Sequence, residues 1–256
     1  MVEAARAESI MVTPEGGGVA FFDMSTVMDG HTGLEHAVPV APLYKDMLSL
    51  MARQKTYYTP TLIIAYGGAN AENWFYQHEN VHDNAKVRRF TPHALLDERT
   101  RRTTMIPDEE YHFPKVAKSA TDLLRLGGNP ALGAHGQRQG IGAHWELWAF
   151  AMGGMTPMEV LRTATTIPAE AIGMQGDIGT LEAGKLADLV ILDANPLDNI
   201  RNTEKIRYVM KGGVLWSGET MDQVWPKQEA FKGFWWKKYE SVGPDVPPVR
   251  PVTPGQ

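Results

Sequence analysis

Over its first 155 residues the chain reads as an α/β fold, and the remainder reads as a smaller run of short strands. Two observations predict this. Strand candidates alternate with helical stretches in about four units up to residue 155, which is the signature of a parallel sheet. Beyond residue 175 the strands are short and separated by glycine turns, as in an antiparallel sheet.

Taken in order, Val2–Ala7 has the pattern of a helix end, and Ser9–Thr13 is a short β-like run that stops at the loop Pro14-Glu15-Gly16-Gly17-Gly18. Gly33–Val38 is a strand candidate carrying His36 near its end, and Tyr44–Arg53 has helical periodicity. Tyr57–Ala65, rich in Tyr, Thr and Ile, predicts a buried strand. Residues 66–108 are polar and aromatic, a long excursion from a strand end with an Arg-rich helix around residues 97–102. Glu109–Arg125 predicts a helix stopped by Gly127-Gly128, and Asn129–His135 a strand ending in Gly-Ala-His. His144–Met152 and Pro157–Thr165 are helical. Thr156-Pro157 with Glu159 forms a capping-box start, and a short apolar helix after it ends at Gly173. Ile178–Leu181, Ala187–Leu192, Ile206–Met210 and Val214–Ser217 are short strands, with a hairpin signal at Lys211-Gly212-Gly213. Trp225–Tyr239 is aromatic and basic, either an interface or a terminal amphipathic helix. From Pro244 the chain is proline-rich and expected to be extended or disordered.

Composition narrows the function classes. With 256 residues, 43% hydrophobic and 21% charged, this is an ordinary globular chain. A net charge of −5 argues against nucleic-acid or anionic-membrane partners. No apolar run approaches the ~20 residues that span a bilayer, and the charged first residues are not those of a signal peptide, which leaves the compartment open. There are no cysteines, so any metal must be held by His, Asp, Glu or a modified Lys.

The stretch GTLEAGKLADLVILDANPL (Gly179–Leu197), with MTPMEVLRTATTIPAEAIG (Met155–Gly173) before it, resembles the C-terminal end of the amidohydrolase superfamily. The imidazolonepropionase-like and prolidase-like members are the most similar. The resemblance implies a partial (β/α)8 TIM-like barrel, about strands 5–8 and their helices, followed by a small C-terminal β-sandwich segment. The corresponding divisions are residues 1–174, 175–225 and a tail at 226–256. It extends to about Trp225. No His-x-His pair occurs in the chain, and the family's strands 1–4 have no counterpart in it.

The family's chemistry, carried over, implies a divalent metal ion, expected to be zinc and numbering one or two, that activates water for attack on a C–N bond. The substrate would be a small amide, cyclic amide or dipeptide. His36, in Gly-Leu-Glu-His, matches the strand-6 metal-binding histidine; the alternative is a histidine bonded to a loop carbonyl. His135 stands at the end of strand 8, where most members carry an acid–base aspartate. It is assigned as a metal ligand and as the catalytic proton carrier. Glu15 stands where a strand-5 histidine is usual and is a possible oxygen ligand, or else a solvated loop carboxylate.

Tyr66 and His144 are assigned to substrate binding, although His144 and Glu146 on one helix also suit structural roles. His31 is expected to be structural, and Trp74–Tyr76 either a lid or local packing. His78 and His82 have the i,i+4 spacing of a weak zinc signal. An incomplete sheet leaves edges exposed, so a homo-oligomer or a complementary chain is an expected partner. The competing reading is a non-catalytic half-barrel that serves as a binding partner.

Overall fold

A computed structural model describes residues 1–64, 68–101, 103–135 and 138–239. The chain runs α1 (Val2–Ala7), α2 (Ala20–Met28), β1 (Gly33–Glu35), α3 (Lys45–Gln54) and β2 (Tyr57–Thr59). Then come α4 (Ala71–His78), α5 (Ala85–Phe90), α6 (His93–Thr100), α7 (Phe113–Arg125), β3 (Asn129–Pro130), α8 (Ile141–Met152), α9 (Pro157–Thr163) and α10 (Thr166–Ala171). It ends in β4 (Leu189–Leu192), β5 (Ile206–Lys211), β6 (Val214–Ser217) and β7 (Gln223–Trp225).

The first three strands form a parallel sheet in the order β1-β2-β3, with Leu34 opposite Tyr58 and Tyr58 opposite Pro130. Residues 12–16 extend it: Thr32 N–H donates to Val12 O at 2.9 Å, Gly16 N–H to Glu35 O at 2.8 Å, and Glu15 bridges Glu35 in parallel. The last four strands form an antiparallel sheet in sequence order. The β5–β6 hairpin turns on Gly212 (φ 55°) and Gly213 (φ 78°), a backbone that side-chain-bearing residues adopt only with strain. Asp188 Oδ1 accepts from Gly212 N–H there at 2.6 Å, a turn-shaping role.

The three parallel strands are shorter than the sequence predicts. β2 stops at Thr59 because Pro60 has no N–H to donate. Thr61 then adopts φ 52° and the chain enters a 3₁₀ turn at Leu62–Ile64. β3 leaves the ladder early as well: Ala131 N–H still donates to Tyr58 O at 2.8 Å, but Leu132 N–H turns to Thr163 O at 2.8 Å. The helix expected from Glu109 begins at Phe113, because Pro114 is tolerated only in a first turn. Ile178–Leu181 is a turn rather than a strand, since Ile178 N–H folds back to Met174 O at 3.0 Å. The 225–239 stretch is not a terminal helix; it holds the end of β7 and a 3₁₀ turn at Trp235–Tyr239.

α7 spaces its apolar residues at helical intervals and buries Phe113, Val116, Ala117, Ala120 and Leu123. It packs closely on α8, where Gly153 meets Ala117 with no room for a side chain. One cluster gathers Leu62, Ile63, Phe75, Phe113, Trp145 and Phe150, and the other gathers Val27, Leu34, Leu48, Met51 and Tyr58 under β1 and β2. Among the described residues no helix is long and apolar enough to cross a membrane.

Candidate functional site

In a parallel sheet the residues just past each strand's C-terminal end share one rim, where ligands of α/β folds bind. Here His36 (φ 70°) comes directly after β1, Thr61 (φ 52°) two residues after β2, and His135 (φ 55°) five residues after β3, in the loop that leaves it. Each is a non-glycine residue in the left-handed region, at a cost of about 1–2 kcal/mol apiece. Local strain therefore collects on the rim.

The rim brings Glu15, His36 and His135 together. The two imidazole rings have centres 5.1 Å apart with planes tilted by 55°. His36 Nε2 lies 3.3 Å from Glu15 Oε1. His36 is buried at 7% exposure, whereas His135 and the Glu15 side chain are open to solvent. One side of the group is thus walled by protein and the other accessible to a small molecule. Two imidazoles and a carboxylate are donor types suited to zinc, iron or manganese, although among the described residues the only three donors that lie within 4.8 Å of one another are those of His82, His93 and Asp97.

Two further carboxylates lie beside them. Burial pushes Glu35 upward from the usual carboxylate range and the Glu15 charge adds to it, against the Thr59 hydroxyl and His36, which pull it down. Asp23 on α2 is buried; its Oδ1 accepts from Gly17 N–H at 2.8 Å, while its Oδ2 has no hydrogen-bond partner. Burial raises its pKa in turn.

Glu146 holds the rim loops from beneath. Fully enclosed on α8, its carboxylate accepts from Leu62 N–H at 2.7 Å and Ile63 N–H at 3.0 Å, with the Gly133 amide as a third donor. Burial outweighs these amides and lifts its pKa to about 8. One side chain thereby ties the loop after β2 to the loop carrying His135. Gly133 is required in that second loop, because a Cβ there would overlap the Thr59 methyl group.

The other predicted residues fall elsewhere. Tyr66 lies outside the described residues. His144, at the start of α8, faces a separate cavity lined by Lys86, Val87, Phe90, Gln139 and Glu204, and neither Glu15, His36 nor His135 borders it. Burial and the nearby Lys86 charge lower the His144 pKa to about 4. His31 Nδ1 lies 2.9 Å from Thr26 O, a structural contact. Phe75 and Tyr76 belong to the core, where Phe75 stacks on Trp145 at 5.0 Å, so this aromatic group is packing rather than a lid. α4 ends at His78, so His78 and His82 do not share a helical face.

Sequence reasoning missed Glu35 and Asp23. The signal for Glu35 was its place one residue before a strand-end histidine. Asp23 carries none, because α2 has only a weak apolar pattern in the sequence.

Residues 90–216 match the amidohydrolase family. Over that segment, just under half of the chain, the sequence is similar to the amidohydrolase family. His135, His144 and Glu146 lie inside the matched segment, and Glu15 and His36 precede it. Imidazolonepropionase of Shouchella clausii is 45% identical over 73 residues, 24% of this chain and 16% of that protein. Ochratoxinase of Aspergillus niger is 32% identical over 105 residues, 40% of this chain and 22% of that protein. The crystal structure of a Xaa-Pro dipeptidase with methionine bound in its active site aligns with a TM-score of 0.59 at 22% identity. That alignment covers 84% of this chain and 47% of the dipeptidase. The chain therefore spans about half the length of that structure and under a quarter of the curated relatives. The α/β architecture of the chain is the one that structure shares.

Proposed function

We propose that this chain carries part of a metal-dependent hydrolase site acting on the C–N bond of a small amide, cyclic amide or dipeptide. In this reading residues 1–174 are a partial (β/α)8 barrel, with β1 as its strand 6 and β3 as its strand 8. Residues 175–225 are then a piece of the accompanying sandwich, and 226–256 a tail. The observation that carries the reading is the approach of His36 and His135 to 5.1 Å across the rim, with Glu15 against His36.

His36, His135 and Glu15 would hold a divalent ion, zinc by donor type, which when bound supplies Lewis-acid activation of water and of the scissile carbonyl. The buried His36 fixes the position of the site, and the strained backbone turns its ring toward the rim. His135, open to solvent, has one basic nitrogen in its neutral form, so it either ligates the ion or carries the proton from the attacking water to the leaving nitrogen; where both histidines hold the ion, that proton passes through solvent. Glu146 keeps His135 aligned by fastening both rim loops. On the outer face of α2, the exposed Phe21 and Phe22 support association with a second copy or a complementary chain.

The test is hydrolysis of a panel of N-acyl amino acids, dipeptides and cyclic amides by the purified chain with added zinc, manganese or cobalt. Turnover of at least one class is expected, falling by about 100-fold or more in His36→Ala and His135→Ala. Parent chain that binds no metal and hydrolyses none of the panel overturns the proposal, as do variants that match the parent.

A further inference from the structure

We propose that His82, His93 and Asp97 form a second metal site, for a zinc-class divalent cation, which fastens the helical excursion between β2 and α7. His82 lies in the turn between α4 and α5, while His93 and Asp97 sit one helical turn apart on α6. One donor atom from each residue lies within 4.8 Å of the others. His82 Nε2 is 3.4 Å and His93 Nδ1 3.1 Å from Asp97 Oδ1. A tetrahedral ion with bonds of about 2.0–2.1 Å separates its ligand atoms by about 3.3 Å, so these spacings suit one shared cation.

Asp97 Oδ1 is buried and accepts no hydrogen bond, although two imidazole nitrogens stand beside it. Its partner oxygen Oδ2 is engaged by Arg101 Nε at 2.9 Å, which leaves Oδ1 turned toward the histidines. His82 is oriented from its other side. Its Nδ1 lies 3.1 Å from Asp83 Oδ1, and Asn80 Nδ2 donates to Asp83 Oδ2 at 2.7 Å. A carboxylate on one imidazole nitrogen presets the other as a metal ligand, the arrangement that orients histidines in zinc sites. Three protein donors leave one tetrahedral position for water.

A cation here would cross-link the α4–α5 turn to α6. That segment also contacts the antiparallel sheet, through Lys86 Nζ to Ile206 O at 2.8 Å and Arg89 to Glu219 O at 2.8 Å. The site shares no residue with the rim, so it stands or falls separately from the hydrolase reading.

Zinc titration of chelator-treated chain carrying His36→Ala and His135→Ala tests it by calorimetry and elemental analysis. One zinc per chain at about micromolar affinity or better is expected, with a rise in Tm of roughly 5 °C at saturating zinc. Asp97→Asn, nearly isosteric, should weaken binding about 100-fold while leaving the metal-free Tm unchanged. Cobalt should give the visible absorption of a tetrahedral site that Asp97→Asn lacks. If the rim variant fails to fold, the parent chain replaces it, and Asp97→Asn should bind one zinc fewer. No zinc in the rim variant, or binding that Asp97→Asn leaves intact, overturns the proposal.

Discussion

Replacing Glu146 by Gln isolates the buried carboxyl group that supports the rim. In the folded chain its pKa stands at about 8 against an ordinary 4.5. Folding therefore retains a proton that the unfolded chain releases between those values. The stabilisation is complete below the lower value and is lost as pH rises toward the upper one. The slope reaches about 1.4 kcal/mol per pH unit and flattens near the upper value, so from about pH 5.5 to about pH 7.5 the parent loses roughly 2.5 kcal/mol through this group. The Glu146→Gln side chain has no such proton equilibrium. It would instead turn an amide N–H₂ toward Leu62 N–H or Ile63 N–H, leaving one buried donor unsatisfied at about 1–3 kcal/mol. Urea unfolding of both proteins should show the parent about 2 kcal/mol more stable near pH 5.5, with the gap closing near pH 7. Other titrating groups cancel in the comparison. A gap that stays constant, or widens as pH rises, would mean the folded carboxyl is ionised and would refute the argument.

Three further outcomes follow from the geometry. His135→Gly removes a solvent-exposed side chain from a left-handed backbone (φ 55°), so Tm should equal or exceed the parent's while metal binding at the rim falls. Gly153→Ala forces a methyl group into the Ala117 backbone at the α7–α8 crossing and should cost about 2–3 kcal/mol in chemical denaturation. A loss under about 0.5 kcal/mol would show that the helices separate without cost. Gly133→Ala should lose stability and rim metal affinity together, and the added change Thr59→Ser, which removes the obstructing methyl, should restore both.

What was legible in the sequence followed local rules. The capping box appears with both its bonds, Thr156 N–H to Glu159 Oε2 at 2.7 Å and Glu159 N–H to Thr156 Oγ1 at 3.3 Å. The Gly212-Gly213 hairpin and the strands that precede His36 and His135 were also readable, though not their early ends, because turn glycines and apolar runs mark them. The rest depends on tertiary contacts. α2 escaped notice because it shows only a weak apolar stripe, with Phe21 and Phe22 outward and Asp23 inward. Glu146 could be read as pairing with backbone, but not as joining two loops 84 and 13 residues away. His82 and His93 are brought together by a break between helices that no periodicity reveals. The true helical pairing was His93 with Asp97, an i,i+4 contact at 3.1 Å, rather than His78 with His82.

The proposed hydrolase site requires His36 and His135 to grip a single cation at the sheet rim. X-ray absorption at the zinc edge, on chain carrying Asp97→Asn to silence the excursion site, addresses it directly. Two imidazole nitrogens at about 2.0–2.1 Å are expected, dropping to one in the additional His135→Ala variant. A zinc shell with fewer than two histidines, or one indifferent to His135, contradicts it.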